Sequence, residues 1–137
     1  MFIRKYESKD ENEVIQIWTD VFGYDAPHND PRLALERKVA FNDGLLLVAE
    51  EDGQIIGMVM GGYDGHRGWI YSLAVRPGFR KSGTGTKLIQ AILEEFKKRG
   101  CLKVNLQVLG TNREVVEFYR RNGFAVEDRI SMGIKLY

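Results

Sequence analysis

The residues Arg80-Lys81-Ser82-Gly83-Thr84-Gly85 combine two cationic side chains with two closely spaced glycines at the entrance to a run of helical periodicity. A glycine-rich turn that opens a helix presents backbone N–H groups at the positive end of the helix dipole, which makes it a diphosphate cradle. Spacing separates the kinds of cradle. A Walker loop needs Gly-x-x-x-x-Gly-Lys followed by Ser or Thr, and no such string occurs. A dinucleotide fingerprint needs a third glycine or alanine three residues after Gly85, where Leu88 stands. What remains is Arg-x-x-Gly-x-Gly, preceded by the strand-like run Trp69-Ile70-Tyr71-Ser72-Leu73-Ala74-Val75 and the turn Arg76-Pro77-Gly78.

The elements that must position this cradle are legible on either side of it. A first strand covers residues 2–6. Ser8 and Glu11 have the spacing of a capping box, and Val14, Ile17, Trp18, Val21 and Phe22 recur at helical intervals, which predicts a helix from about residue 9 to 22. Asp30-Pro31 offers an N-cap and a first-turn proline for a second helix to about Phe41. Leu45–Glu51 and Gln54–Tyr63 flank Asp52-Gly53, the pair favoured in a two-residue hairpin turn, and read as adjacent antiparallel strands.

After the cradle, Leu88, Ile89, Ile92, Leu93 and Phe96 form one apolar helical face ending near Gly100. Val104, Leu106 and Val108 alternate with Asn105 and Gln107 as in a half-buried strand. A helix from about Asn112 to Arg121 stops at Gly123, and two short strands are predicted around 124–128 and 131–136. The order βααβββαβαββ describes a mixed α/β (α+β) fold with an open, largely antiparallel central sheet flanked by helices. The strands on either side of the cradle helix would lie parallel through one right-handed crossover. Ligands in such sheets sit where neighbouring strands part.

With 137 residues the chain reads as one domain, residues 1–137, long enough to bury about two thirds of its unfolded surface. Its single cysteine, Cys101, excludes an internal disulfide, fits a reducing compartment and reads as a small apolar residue. A formal net charge of +1 gives no general electrostatic reason to bind nucleic acid or an anionic membrane. Met1–Tyr6 lacks the apolar core of a signal peptide, and the longest apolar run, Leu45–Ala49, is too short to span a bilayer. A soluble cytoplasmic protein is expected, with no metal requirement, and no repeat or low-complexity tract divides the chain.

The ordered set of strand, turn, Arg-x-x-Gly-x-Gly and helix resembles the acetyl-CoA pyrophosphate site of the GNAT superfamily of N-acetyltransferases. The string Asn112-x-x-x-x-x-Phe118-Tyr119-x-x-x-Gly123-Phe124 looks like that superfamily's C-terminal motif, so the resemblance covers essentially the whole chain. Asn29-Asp30-Pro31, Glu36-Arg37-Lys38 and Met60 to Gly68 are similar to the small bacterial YpeA-type acetyltransferases, a group whose motifs fix no substrate. The resemblance implies acetyl-CoA as acyl donor. It implies that the strand segment Leu73, Ala74 and Val75 pairs with the pantetheine arm, through backbone groups of Leu73 and Val75, as though the arm were an added strand. It further implies that the amides around Ser82, Gly83, Thr84 and Gly85, with Arg80 and Lys81, hold the diphosphate. The glycines there keep side chains away from the phosphate oxygens and tolerate φ > 0.

By the same resemblance Asn112 meets the pantetheine amides and Tyr119 stands near the thioester sulfur as general acid to the leaving thiolate. A core aromatic on the face shared with Val115 is the plainer reading of Tyr119, although a buried phenol needs a partner for its hydroxyl. Many relatives carry a glutamate base on the strand before the cradle or at the position of Gln107, and this chain has neither. Asp64, His66, Asp25 or a chain of waters are the alternatives. Glycines bracket Tyr63, Asp64, His66 and Arg67, so Asp64 could pair an ammonium and Arg67 a carboxylate; equally, Asp64-Gly65 is the turn two strands require. Tyr24, Asp25 and His28 form a second candidate wall, and Trp18 and Trp69 read as core or cleft aromatics.

The leading expectation is an acetyl-CoA-dependent N-acetyltransferase working by direct amine attack in a ternary complex. Cys101 lies outside every motif, so an acyl-cysteine route is not expected. The acceptor is a small-molecule or protein amine, and a homodimer is left open. The rival readings are a non-catalytic CoA or acyl-CoA sensor of the same fold, suggested by the missing base, and an ordinary nucleotide-binding protein.

Overall fold

A computed structural model describes residues 1–24 and 26–137; Asp25, a candidate acceptor residue, lies outside the described residues. The chain forms two compact units, Met1–Gln107 and Val108–Tyr137. The first holds a five-stranded sheet in the order β1-β2-β3-β4-β5, comprising β1 (Phe2–Lys5), β2 (Leu46–Glu51), β3 (Gln54–Tyr63), β4 (Gly68–Val75) and β5 (Val104–Leu106). Pairing is antiparallel from β1 to β4 and parallel between β4 and β5. The mixed, mostly antiparallel architecture is the one expected from the sequence.

Helices α1 (Glu11–Phe22) and α2 (Pro31–Phe41) come between β1 and β2. Val14, Ile17 and Trp18 of α1 and Leu35 of α2 pack with Leu46, Val48, Ile55, Met58, Met60 and Ala74 into one core cluster. Asp30 caps α2 through its side chain, which accepts from Arg32 N–H at 3.1 Å, ahead of Pro31 in the first turn. The capping device before α1 lies one residue earlier than the Ser8/Glu11 pair predicted. Glu7 N–H donates to Asp10 Oδ2 at 2.8 Å, because Asp10 is buried and gripped by Arg4 from β1 at 2.8 and 2.9 Å. Arg4 also donates to Glu50 at 2.8 Å, which ties the helix entrance to β2.

The β2–β3 hairpin turns on Asp52 and Gly53 at φ 50° and 76°, the paired positive values of the tight turn that matches strand twist. On the other sheet face lies α3 (Thr84–Lys98), burying Leu88, Ile89, Ile92 and Phe96. Glycines receive it. A Cβ on Gly61 would stand 2.8 Å from Ile92 Cδ1 and 2.9 Å from Phe96 Cζ, and one on Gly68 would stand 2.9 Å from Phe96 Cε1. Such separations are shorter than packed carbon atoms tolerate, so the helix sits closer to the sheet than any side chain there would allow.

The second unit contains α4 (Arg113–Arg121), which begins at Asn112, whose Oδ1 accepts from Val115 N–H at 3.4 Å. Phe124 N–H donates to Tyr119 O at 3.0 Å past the positive-φ Gly123 (φ 92°), an ordinary way to end a helix. The strands predicted at 124–128 and 131–136 are not formed. That segment carries no regular element, and Val126, Ile130, Met132, Ile134 and Leu136 are exposed. Alternating apolar residues make a strand only when a neighbouring strand takes up their backbone groups, and a two-stranded ribbon by itself is marginal in water. The strand predicted over 104–108 is likewise shortened to Val104–Leu106.

Candidate active site

The cradle turn takes the form its composition requires. A short 3₁₀ turn at Pro77–Phe79 leads into residues 80–83, and Gly83 sits in the left-handed region at φ 83° as the N-cap of α3. Among the described residues, no atom beyond its own stretch of chain lies within 4 Å of where a Cβ on Gly83 would be, so the glycine is needed for backbone conformation and for an open approach from solvent. The first intrahelical bond is donated by Lys87 N–H to Gly83 O at 3.0 Å. The amides of Gly83, Thr84 and Gly85 therefore precede the regular ladder, at the positive end of the helix. Ser82 Oγ donates to Phe79 O at 2.6 Å and lies 2.9 Å from Thr84 Oγ1, which fixes the turn from within. Arg80 and Lys81 are exposed beside it. Arg80 Nε donates to Val75 O at 3.1 Å, joining the turn to the end of β4.

The edge of β4 is open where the cradle meets it. Pairing with β5 extends only from Gly68 to Ile70. Arg76 N–H donates to Ile56 O at 2.8 Å, and the register pairs Ala74 with Met58 and Ser72 with Met60. Because antiparallel strands alternate bonded and non-bonded pairs, Ser72 and Ala74 are committed to β3, while the main-chain groups of Leu73 and Val75 point to the opposite edge, where among the described residues no strand pairs with them and the Val75 carbonyl is met by Arg80 Nε. Of the three β4 residues singled out from sequence, Leu73 and Val75 thus face the gap and Ala74 does not.

Between Met60 and Gly61 the register slips, so that Tyr71 has no opposite number on β3. This β-bulge flips the alternation of β4. Ile70 shares the α3 face with Gly61, whereas Ala74 belongs to the α1/α2 core. Tyr71 is thrown onto the α1/α2 face, where a Cβ on Gly62 would lie 3.1 Å from its Cε2 and 3.9 Å from Lys38 Nζ. Lys38 donates to Gly61 O and to Asp43 Oδ2, the latter at 2.7 Å. Sequence reading gave Tyr71, Gly62 and Lys38 no role of their own; the adjacent glycines 61 and 62 were the available signal, one opening each face of the sheet.

The 64–67 loop is a self-contained turn. Asp64 Oδ1 accepts from His66 N–H at 2.8 Å and from Arg67 N–H at 2.9 Å, and these bonds hold the exposed carboxyl below its ordinary value. The same bonds make Asp64 a weaker proton acceptor than a free carboxylate. Tyr63 Oη donates to Gly65 O at 3.2 Å, closing the loop on itself. Tyr24, in the loop after α1, is exposed. Trp18 is buried in the core, and Trp69 is half-buried on β4. Cys101 is half-buried, with Sγ 3.3 Å from Lys103 O.

In the second unit Tyr119 is 9% exposed, flanked edge-on by Phe118 and Phe124 at ring separations of 5.1 and 5.5 Å. Burial pushes its phenol up to about 12, so it is a neutral hydrogen-bond donor at physiological pH.

The sequence profile of the acetyltransferase (GNAT) family matches residues 11–124. Acetyltransferase YE1169 of Yersinia enterocolitica is 41% identical over 138 aligned positions, covering 99% of this chain and 96% of that protein. Among solved structures, Ard1 from Thermoplasma volcanium superposes with a TM-score of 0.78 at 28% identity, over 92% of this chain and 83% of the other. The PaiA N-acetyltransferase of Thermoplasma acidophilum, solved in complex with coenzyme A, superposes with a TM-score of 0.78 at 23% identity, over 94% and 92%. Among the described residues no helix is long and apolar enough to cross a membrane.

Proposed function

Since this chain belongs to the acetyltransferase (GNAT) family and is an N-acetyltransferase, we propose that it moves the acetyl group of acetyl-CoA to a primary amine by direct attack within a ternary complex. Residues 1–137 act as one functional domain in the cytoplasm, of the YpeA-type group, and require no metal. The feature that carries this reading is the junction of α3 with β4. The left-handed Gly83 opens the helix, and beside it the main-chain groups of Leu73 and Val75 face an edge without a strand partner. An extended chain with amide groups and an anionic end matches both: amides to the strand edge, diphosphate to the helix N-terminus. The pantetheine arm of CoA and its diphosphate have that chemistry.

In the proposed reaction the neutral amine nitrogen bonds to the thioester carbon, the C–S bond breaks, and the leaving sulfur takes a proton while the nitrogen loses one. Tyr119 is the proposed hydrogen-bond donor to the leaving sulfur, which in the overall balance takes up the proton the nitrogen loses. With its phenol near 12, full transfer to a thiolate of ordinary pKa about 8.5 is uphill, so its contribution is hydrogen-bond donation to the developing charge. Asn112 is the proposed partner of the pantetheine amides, and Arg80 and Lys81 supply positive charge at the diphosphate. Tyr24, Asp25, Asp64, His66 and Arg67 are proposed to border the acceptor, a small-molecule or protein amine. Asp64 supplies a negative charge there.

Calorimetry of CoA with the wild type and Gly83→Glu, combined with thiol release from acetyl-CoA over a panel of amines, tests this reading. Saturable CoA binding, lost in the folded Gly83→Glu variant, and amine-dependent thiol release weakened by Tyr119→Phe are expected. No binding at millimolar CoA would overturn it.

A further inference from the structure

We propose that Tyr71 is the floor of the acceptor subsite and selects small amines that carry a second positive charge beyond the amine that reacts. The inference rests on the acetyl-CoA reading above and deepens it. Tyr71 occupies a singular place in the fold. It is the bulged residue of β4 and the first one past the point where the β4–β5 ladder stops, so it stands at the start of the edge assigned to the thioester arm. Tyr71 is 66% exposed on a strand whose neighbours Ile70 and Ser72 are buried. Gly62 lies against the edge of the ring, where a Cβ would have stood 3.1 Å from Tyr71 Cε2, so the glycine leaves room for the ring on this face of the sheet.

A ring face laid open beside a reacting carbon attracts alkyl ammonium groups through its quadrupole. Among the charges of the adjoining loop, Asp64 favours a cation and Arg67 opposes one, and Asp64 is the one whose charge reaches the ring. Asp64 follows Gly62 by two residues on the same strand-and-turn and is kept anionic by two loop N–H groups. Its field reaches Tyr71, whose phenol is raised by partial burial and then by the Asp64 charge. The nearby ammonium of Lys38 is neutralised by Asp43 at 2.7 Å and engaged by Gly61 O, so it does not cancel Asp64. A carboxylate-bearing acceptor would meet Asp64 unfavourably and find the Lys38 charge already paired.

The test compares 1,4-diaminobutane with 4-aminobutan-1-ol, which has the same reach but a hydroxyl in place of the second ammonium. Thiol release from acetyl-CoA is followed for wild type, Tyr71→Phe, Tyr71→Leu and Asp64→Asn, the last of which keeps an oxygen for the loop N–H groups. The wild type is expected to favour the diamine by about tenfold in kcat/KM, the scale of a ring–cation contact reinforced by one charge. Tyr71→Phe should retain that preference, while Tyr71→Leu and Asp64→Asn reduce it to near unity through KM. Affinity for CoA, measured by calorimetry, should stay unchanged in Tyr71→Leu. A preference that survives Tyr71→Leu, a wild type that favours the amino alcohol, or an enzyme that binds CoA but turns over neither amine overturns the inference and leaves the CoA site standing. Failure of the wild type to bind CoA overturns the site reading itself.

Discussion

Gly57 on β3 lies so close under Leu88 on α3 that a Cβ on the glycine would stand 3.0 Å from Leu88 Cδ1, 3.1 Å from Ala74 O and 3.4 Å from Thr84 Cγ2. The first turn of α3, which carries the candidate diphosphate cradle, is therefore seated on the same strands that present the candidate pantetheine edge. Their relative position is set by the absence of one methyl group.

Replacing Gly57 with valine should lift the start of α3 from the sheet. Overpacking of this kind costs about 1–3 kcal/mol, read as a lowered urea midpoint with an unchanged slope. Affinity for CoA should fall by about tenfold, or ~1.4 kcal/mol, because the two half-sites no longer align. Unchanged CoA affinity in a measurably destabilised Gly57→Val protein would show that the seat of α3 does not tune the site.

At Gly83 the prediction separates conformation from ligand access. Gly83→Ala meets no neighbouring atom but must hold φ 83°, so it should cost about 1 kcal/mol of stability and leave the fold intact. Gly83→Glu adds a negative charge where the diphosphate is proposed, and should reduce CoA affinity far more than Gly83→Ala does. Equal losses in the two variants would place the anion elsewhere.

Acid stability should depend on the Arg4–Asp10–Glu50 cluster. Burial alone would raise the Asp10 carboxyl, but hydrogen bonds from Arg4 and from Glu7 N–H outweigh it and leave it below the ordinary 3.8. A depressed folded value means that the unfolded chain binds the proton more readily, so stability rises with pH through this window. The contribution is present above the unfolded value and is lost as pH falls through the folded one. Asp10→Asn should flatten this part of the stability curve and cost about 1–3 kcal/mol at neutral pH. Urea unfolding between about pH 2 and pH 6 measures both, and an Asn variant that keeps the full acid slope contradicts the assignment.

Tyr119 should behave in the opposite sense. Its folded value near 12 lies above the unfolded 10.0, so its contribution is complete below pH 10.0 and is lost as pH rises toward 12. Ultraviolet titration should show one tyrosine ionising last, and Tyr119→Phe should remove that final phase. The same substitution should lower kcat by about 10² if the phenol donates to the leaving sulfur, with little change in CoA affinity. A kcat within twofold of wild type would assign the residue to packing with Phe118 and Phe124 alone.

The sequence by itself determined the local elements and the cradle. Helical periodicity in α1, α3 and α4, the Asp30-Pro31 helix start, the Asp52-Gly53 turn and the φ demand at Gly83 are all settled within a few residues of chain, so they were legible. Tertiary structure decided whatever depends on partners distant in sequence. It moved the cap to Glu7 and Asp10 because Arg4 reaches Asp10, and it closed Asp64 into its own turn. It ended the β4–β5 ladder at Ile70 and inserted Tyr71 as a bulge, and no local pattern reports a register between strands. It left 124–137 without strands despite their alternation, since alternation states only which face would be buried if a neighbour were present. Chemistry carried by backbone conformation can be read along the chain, whereas chemistry carried by a strand's unpaired edge appears only once its neighbours are in place.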